Sequence, residues 1–181
     1  MILSKFWNCI FAIMKWLDRQ WSFGEYSQMY LENLERMESA SKQIESLCSA
    51  LDDEYLRKKP DGKWSINEHA GHLLTIESLW IARLDDFVLG RESLRPWNGT
   101  NADTDAGEFN RQRFGKILED LDDIRYAHVK MLRGLTDKKD IMSVKHPRLN
   151  TTLTLADHVH FMAEHDQHHI STIQEIINQF S

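Results

Sequence analysis

Four long segments of the chain carry apolar residues at spacings of three, four and seven, the pattern of a helix with one buried face. In order, the segments are Glu25 to Leu51, Ser65 to Gly90, Asp105 or Glu108 to Leu135, and Thr154 to Phe180. With only three prolines and eight glycines in 181 residues, few breakers interrupt such helices. We therefore predict a single all-α domain folded as a four-helix bundle, with an irregular helical domain as the alternative.

Helix starts and one connector are marked by short local patterns. Residues 65–68 form an S-x-x-E capping box, and Thr154 with Asp157 forms a second start of the same kind. The connector at 136–153 contains KHPRLNTTLTL, in which Pro147 breaks any helix. The TTLTL run favours a brief extended segment before the last helix.

The beginning of the chain is apolar, and we predict residues 1–13 to be an extra N-terminal segment ahead of a bundle domain at 14–181. Its uncharged stretch from Phe6 to Met14 is too short to span a bilayer, so we expect no membrane span. A signal peptide would need a cleavage site of small residues, which does not follow. A helix packed on the domain or on a partner, and a true start at Met14, are the other interpretations.

The net charge and the cysteines bear on which partners and which cellular location to expect. A net charge of −6 gives no basic footprint, so we expect no nucleic-acid partner. The two cysteines, Cys9 and Cys48, show neither metal-ligand spacing nor a disulfide framework, which indicates a reducing, cytoplasmic location.

Five of the nine histidines fall between positions 158 and 169. His165 and His169 are four apart, share one helix face, and continue the apolar stripe of the fourth helix. Such a pair can offer two imidazoles to one metal ion, although a buried pair satisfied by hydrogen bonds is the alternative. His168 is rotated by about a hundred degrees from His169 and is expected at the edge or in solvent.

A third ligand has two candidates on the second helix. His72 lies one turn before an apolar stripe position, and His69 is its rival by spacing alone. Three imidazoles would leave open positions on a divalent ion for water or substrate.

Other polar side chains near these histidines have weaker assignments. Glu68 lies four residues before His72 and can contact that ring, although it also closes the capping box. His158 lies seven residues before His165 and is a candidate for lining the pocket. Asp166 is interpreted as a solvated helix charge, and Glu77 receives no role.

Three stretches of the chain resemble, in order, the DinB/YfiT-like superfamily of small bacterial four-helix proteins. KWSINEHAGHLLTIES at 63–78 resembles its W-S-x-x-E-x-x-x-H-L signature. The other two stretches are MKWLDRQWSF at 14–23 and HPRLNTTLTLADHVHFMAEHDQHHISTI at 146–173. The likeness therefore covers most of residues 14–180.

The resemblance implies a bundle with one divalent metal ion, commonly nickel or zinc, with iron, manganese and copper left open. Carried over by position, the ligands are His72, His165 and His169. It also implies a homodimer and a small-molecule substrate. The activity implied is a metal-dependent hydrolase; the alternatives are a transferase that uses a thiol such as bacillithiol or mycothiol, and a non-catalytic metal-binding stress-response module.

Overall fold

The computed structural model describes Trp16 and residues 19–180, with the side chain of Phe180 excepted. The predictions for residues 1–13 and for Met14 concern a part of the chain outside the described residues. The helices and strands are α1 (Tyr30–Cys48), α2 (Asp53–Arg57), α3 (Ile66–Val88), α4 (Ala102–Ala106), α5 (Phe114–Arg133), β1 (Ser143–His146), β2 (Thr151–Thr154) and α6 (Leu155–Phe180).

The four long helices α1, α3, α5 and α6 form the predicted bundle. Helix α1 packs against α5 and α6, and α3 packs against the same two helices from the other side. Both predicted helix starts are present. Ser65 and Glu68 cap α3 reciprocally, and the Thr154 hydroxyl accepts a hydrogen bond from the Asp157 N–H at 3.1 Å.

The third long helix begins later than the sequence predicts. A start at Asp105 or Glu108 is wrong, because α4 is a separate helix that ends at Ala106, and Glu108 after it takes a left-handed φ of 44°. The ring of Phe109 then packs directly on α3, where a Cβ added to Gly71 would lie 2.2 Å from it. The first helix also begins later, at Tyr30 rather than Glu25.

The connector between α5 and α6 forms a small hairpin. Strands β1 and β2 are antiparallel, with Val144 opposite Leu153, so the extended segment predicted from TTLTL is confirmed. Ser93, in the loop after α3, bridges to Lys145 of β1. The loop and the hairpin therefore meet at one end of the bundle.

Helix α6 is the central element. From Leu155 to Ala163 every residue is buried, so this part of the helix has no solvent face. Trp16, Trp21 and Phe23 cover it on one side, together with the hairpin. Among the described residues, no helix has the length and apolar character needed to cross a membrane.

Candidate metal centre

Three buried histidines from two helices converge at one point in the bundle. His72 projects from α3, and His165 and His169 project from α6. Each offers one ring nitrogen, and these atoms all lie within 4.8 Å of one another. The Nε2 atom of His165 is 3.4 Å from that of His72 and 3.3 Å from that of His169.

The spacing and protonation of these nitrogens fit a divalent ion. Two imidazole nitrogens bound to one tetrahedral ion at about 2.1 Å would lie about 3.4 Å apart. Burial lowers the pKa of His72 to about 4 and lowers the pKa values of His165 and His169 well below their usual range. At neutral pH all three rings are therefore neutral and can each present a lone pair.

Hydrogen bonds behind two of the rings fix which nitrogen faces the centre. The Nδ1 atom of His72 lies 3.0 Å from the Thr104 hydroxyl, which can accept its proton. The Nδ1 atom of His169 lies 2.9 Å from Nδ1 of His69. With the protons on Nδ1, both Nε2 atoms remain free for a metal. His69, the rival ligand by spacing, thus lies behind His169 instead of beside His72.

The other residues considered from the sequence lie outside the centre. The Glu68 carboxylate accepts the Ser65 N–H at 2.8 Å and pairs with Lys59 at 2.7 Å, whereas Thr104 is the partner of His72. The ring of His158 is buried in the core beside Trp80, at 5.7 Å between ring centroids. It therefore lies behind the pocket wall and does not line it.

A cavity of about 650 Å³ opens in front of the three histidines. Its walls are largely aromatic, contributed by Trp16, Trp64, Trp80, Trp97 and Phe161. His168 is half-buried and also lines this space, with its ring 5.8 Å from that of Trp16. A small molecule with an apolar body can therefore reach the imidazole nitrogens.

A buried charged cluster on neighbouring turns was missed by the sequence reasoning. Arg125 of α5 forms ion pairs with Asp166 and with Glu77, the latter at 2.9 Å, and the Nδ1 atom of His128 hydrogen-bonds to Glu77 at 2.8 Å. The prediction that Asp166 is solvated is wrong, because it is 2% exposed. Burial alone would lower the pKa of Arg125, but the carboxylates of Asp166 and Glu77 raise it.

One sequence signal could have revealed this cluster. Arg125 and His128 continue the apolar line of α5, since Arg125 lies four residues after Leu121, His128 three after Arg125, and Leu132 four after His128. Polar and charged residues in such a line must find partners inside the bundle. The identity of those partners depends on packing against α3 and α6.

Comparisons with known proteins agree with the fold. No curated protein matches the chain. Among solved structures, YfiT from Bacillus subtilis, described as a probable metal-dependent hydrolase with an unusual four-helix bundle topology, is 19% identical. That match has a TM-score of 0.72 and covers 90% of this chain and 92% of the YfiT chain, which shows a shared fold. The sequence model of the DinB superfamily matches residues 36–173, and the chain therefore belongs to the DinB superfamily.

Proposed function

We propose that the protein is a metal-dependent hydrolase acting on a small molecule held in the aromatic cavity. The observation that carries this proposal is the convergence of three neutral imidazoles on the wall of that cavity, with Nε2 of His165 3.3–3.4 Å from Nε2 of the other two. Structural zinc sites usually have four protein ligands, whereas catalytic sites keep a position open. The fold shared with YfiT, itself described as a probable metal-dependent hydrolase, supports the same activity.

His72, His165 and His169 would hold the ion, which we propose to be nickel or zinc. Three imidazoles also suit iron or copper, and manganese is a weaker fit because it favours oxygen ligands. When bound, a divalent ion supplies activation of water and polarisation of a carbonyl group.

The surrounding side chains would have supporting roles. Thr104 and His69 hold the His72 and His169 rings in the orientation that presents Nε2. Trp64 packs against the rings of His72 and His169, at 4.9 Å and 6.3 Å between centroids. This aromatic wall would pack against the apolar body of a substrate.

The test begins with metal analysis of protein purified without a polyhistidine tag. We expect about one divalent ion per chain in the wild type and its loss in His165→Ala. His160→Ala is the matched control, because His160 is buried on the same helix beside Tyr26 and lies outside the cavity. Intact, folded protein that binds no metal under any loading condition would contradict the proposal.

Activity is then screened with panels of esters and amides. Hydrolysis that depends on the metal and is lost in His72→Ala is the expected result. Conjugation of a low-molecular-weight thiol to an electrophile, without hydrolysis, would instead support the transferase. Metal binding with neither activity would support the non-catalytic module. The homodimer and the cytoplasmic location also stay predictions.

A further inference from the structure

The end of the cavity opposite the three histidines is basic. Arg83, His146 and Arg148 line it, and no aspartate or glutamate is among the cavity-lining residues that the structure describes. The chain as a whole carries a net charge of −6, so this local excess of positive charge is contrary to its overall balance. A cavity with cationic and apolar walls favours a ligand with a negative charge.

Two buried donors face each other at this end. The backbone N–H of Leu149 donates to Nδ1 of His146 at 3.2 Å, so the neutral ring carries its proton on Nε2. Nη1 of Arg83 lies 3.4 Å from that Nε2. Both groups are N–H donors, and each residue is 2% exposed. An acceptor placed between them would satisfy both.

The ring of His146 is neutral for a physical reason. Burial, with the charges of Arg83 and Arg148, lowers the pKa of His146 to about 3. The ring therefore has one proton at neutral pH, and the Leu149 bond decides its position.

Among the residues that the structure describes, no carboxylate forms an ion pair with Arg83. Its Nε donates to the carbonyl oxygen of Arg95 at 3.0 Å. The nearby Asp86 carboxylate is occupied by Arg95, through the backbone N–H at 2.8 Å and the guanidinium at 2.9 Å. Burial lowers the pKa of Arg83 to about 10, which reflects incomplete compensation of its charge. Burying such a cation costs free energy unless a ligand supplies the missing negative charge.

The two ends of the cavity are joined by one helix face. His72 and Arg83 are eleven residues apart on α3, about 16 Å along the axis and nearly the same direction around it. Trp80 lies between them, with its ring 5.7 Å from that of His165 and 5.3 Å from Cζ of Arg83. A ligand that reaches both ends would lie along this indole.

We infer that the substrate carries a carboxylate, bound by Arg83 and His146 with Arg148 at the cavity mouth, at the end of an apolar body that lies along Trp80. This inference rests on the proposed function, because the hydrolysed bond would lie at the other end of the same substrate, beside the three histidines. A planar carboxylate suits the site because its two oxygens can each meet one of the two donors. A phosphate dianion would need more donors than these apolar walls supply.

Two matched probes test the inference directly. One is 4-carboxybenzohydroxamate, and the other is 4-carbamoylbenzohydroxamate, in which an amide replaces the acid. Each probe is also made in longer versions, with one or two methylene groups between the ring and the acid or amide. The hydroxamate end serves as the metal-seeking group in both, so the difference between the two affinities reports on the other end. Binding to the full-length, metal-loaded protein is followed by the fluorescence of the cavity tryptophans and by calorimetry.

We expect the carboxylate probe to bind at least about 10-fold more tightly than the carboxamide. Arg83→Gln should bring the two affinities close together, and Arg83→Lys should restore part of the preference. Arg148→Gln should reduce the preference about threefold, and because Arg148 is exposed this variant carries little risk for folding. Arg113→Gln, which removes the same charge from an exposed position at the start of α5, is the control and should leave the preference unchanged.

Several results would overturn the inference. These are equal affinity for the two probes in the wild type, no measurable binding of either, or a preference that survives in both Arg83→Gln and Arg148→Gln. A phosphonate twin that binds more tightly than the carboxylate would overturn the assignment to a carboxylate. If the protein holds no metal yet still prefers the carboxylate probe, the proposed function fails while the acidic-ligand site stands.

Discussion

The three histidines and the cluster around Arg125 lie on the same part of the bundle, but their polar atoms meet in opposite ways. In the cluster, a cation lies between the carboxylates of Glu77 and Asp166, so charges of opposite sign are joined within the chain. In the histidine centre, Nε2 of His165 faces two other imidazole nitrogens at 3.3–3.4 Å. Nδ1 of His165 has no hydrogen-bond partner, and no carboxylate closes this centre among the described residues, which suits a cation supplied from outside the chain. Burial alone therefore does not distinguish a structural polar cluster from a binding site, but the pairing of donors and acceptors does.

The largest expected effect comes from removing the central cation of the closed cluster. Arg125→Met leaves two buried carboxylates without their partner, and we expect it to lower the free energy of unfolding by about 3–5 kcal/mol. Urea denaturation measures this. Arg133→Met is the control. The Arg133 side chain, which pairs with Glu38, is 40% exposed, so this ion pair should contribute less than about 1 kcal/mol. Equal losses in the two variants would erase the distinction between the cluster and a surface pair.

The histidine centre should respond to added metal, as the closed cluster should not. At a free metal concentration of 100 times Kd, the wild type should gain about 2.7 kcal/mol of stability. His165→Ala should gain nothing, because two imidazoles cannot hold the ion at the same affinity, whereas His160→Ala should respond as the wild type does. Thermal melts with metal and with a chelator measure the difference. A metal response that persists in His165→Ala would place the ion elsewhere.

A smaller effect should follow from the groups that orient the rings. His69→Ala removes the partner of His169 Nδ1, and Thr104→Val removes the partner of His72 Nδ1. Each should weaken metal binding by about 10–100-fold. Competition with a coloured chelator gives the affinities. His168→Ala is the control, because the His168 ring contacts that of His169 but, among the described residues, forms no hydrogen bond to any of the three histidines, so the affinity should stay nearly unchanged. Unaltered affinity in both orienting variants would refute this role.

The smallest expected effect is a pH dependence at the basic end of the cavity. The His146 ring stays neutral in the native state down to pH about 3, whereas in the unfolded chain it binds a proton below about 6.5. The unfolded state thus binds more protons in this window, and the free energy of unfolding falls as the pH is lowered. His146→Gln should make this dependence shallower by up to about 1.4 kcal/mol per pH unit. Urea denaturation of both proteins at pH 5 and pH 7 measures it. The same change in the free energy of unfolding between the two pH values in the variant and the wild type would contradict the prediction.

The bundle was predictable because the sequence patterns that specify its helices are local and recur along the chain. Apolar stripes at helical spacing, and capping residues such as Ser65 and Thr154, act within one or two turns of the chain. The pairing of His165 with His169 was also predictable, because four residues bring two side chains to one face. The choice of His72 over His69 came from the family resemblance, since spacing alone left both open.

The rest depends on which elements cover which faces. Asp166 was expected in solvent because a helix normally has an outer side, yet α6 is central and α5 supplies Arg125 there. The donors at His146 and Arg83 meet because the hairpin folds against α3, a contact that no local pattern encodes. The segment before α5 is held against α3 by the packing of Phe109 on Gly71, a contact between residues distant in the sequence.

The bridge between Ser93 and Lys145 has a consequence for how proteins with this scaffold can diverge. It ties together two loops, and those loops carry Trp97 and Arg148 at the mouth of the cavity, whereas the three metal-binding candidates are held by long helices. Insertions and exchanges accumulate in loops far more readily than in packed helices. Ligand preference can therefore change by replacing the two tethered loops while the three histidines keep their positions, which makes this loop pair the natural place to introduce new specificity.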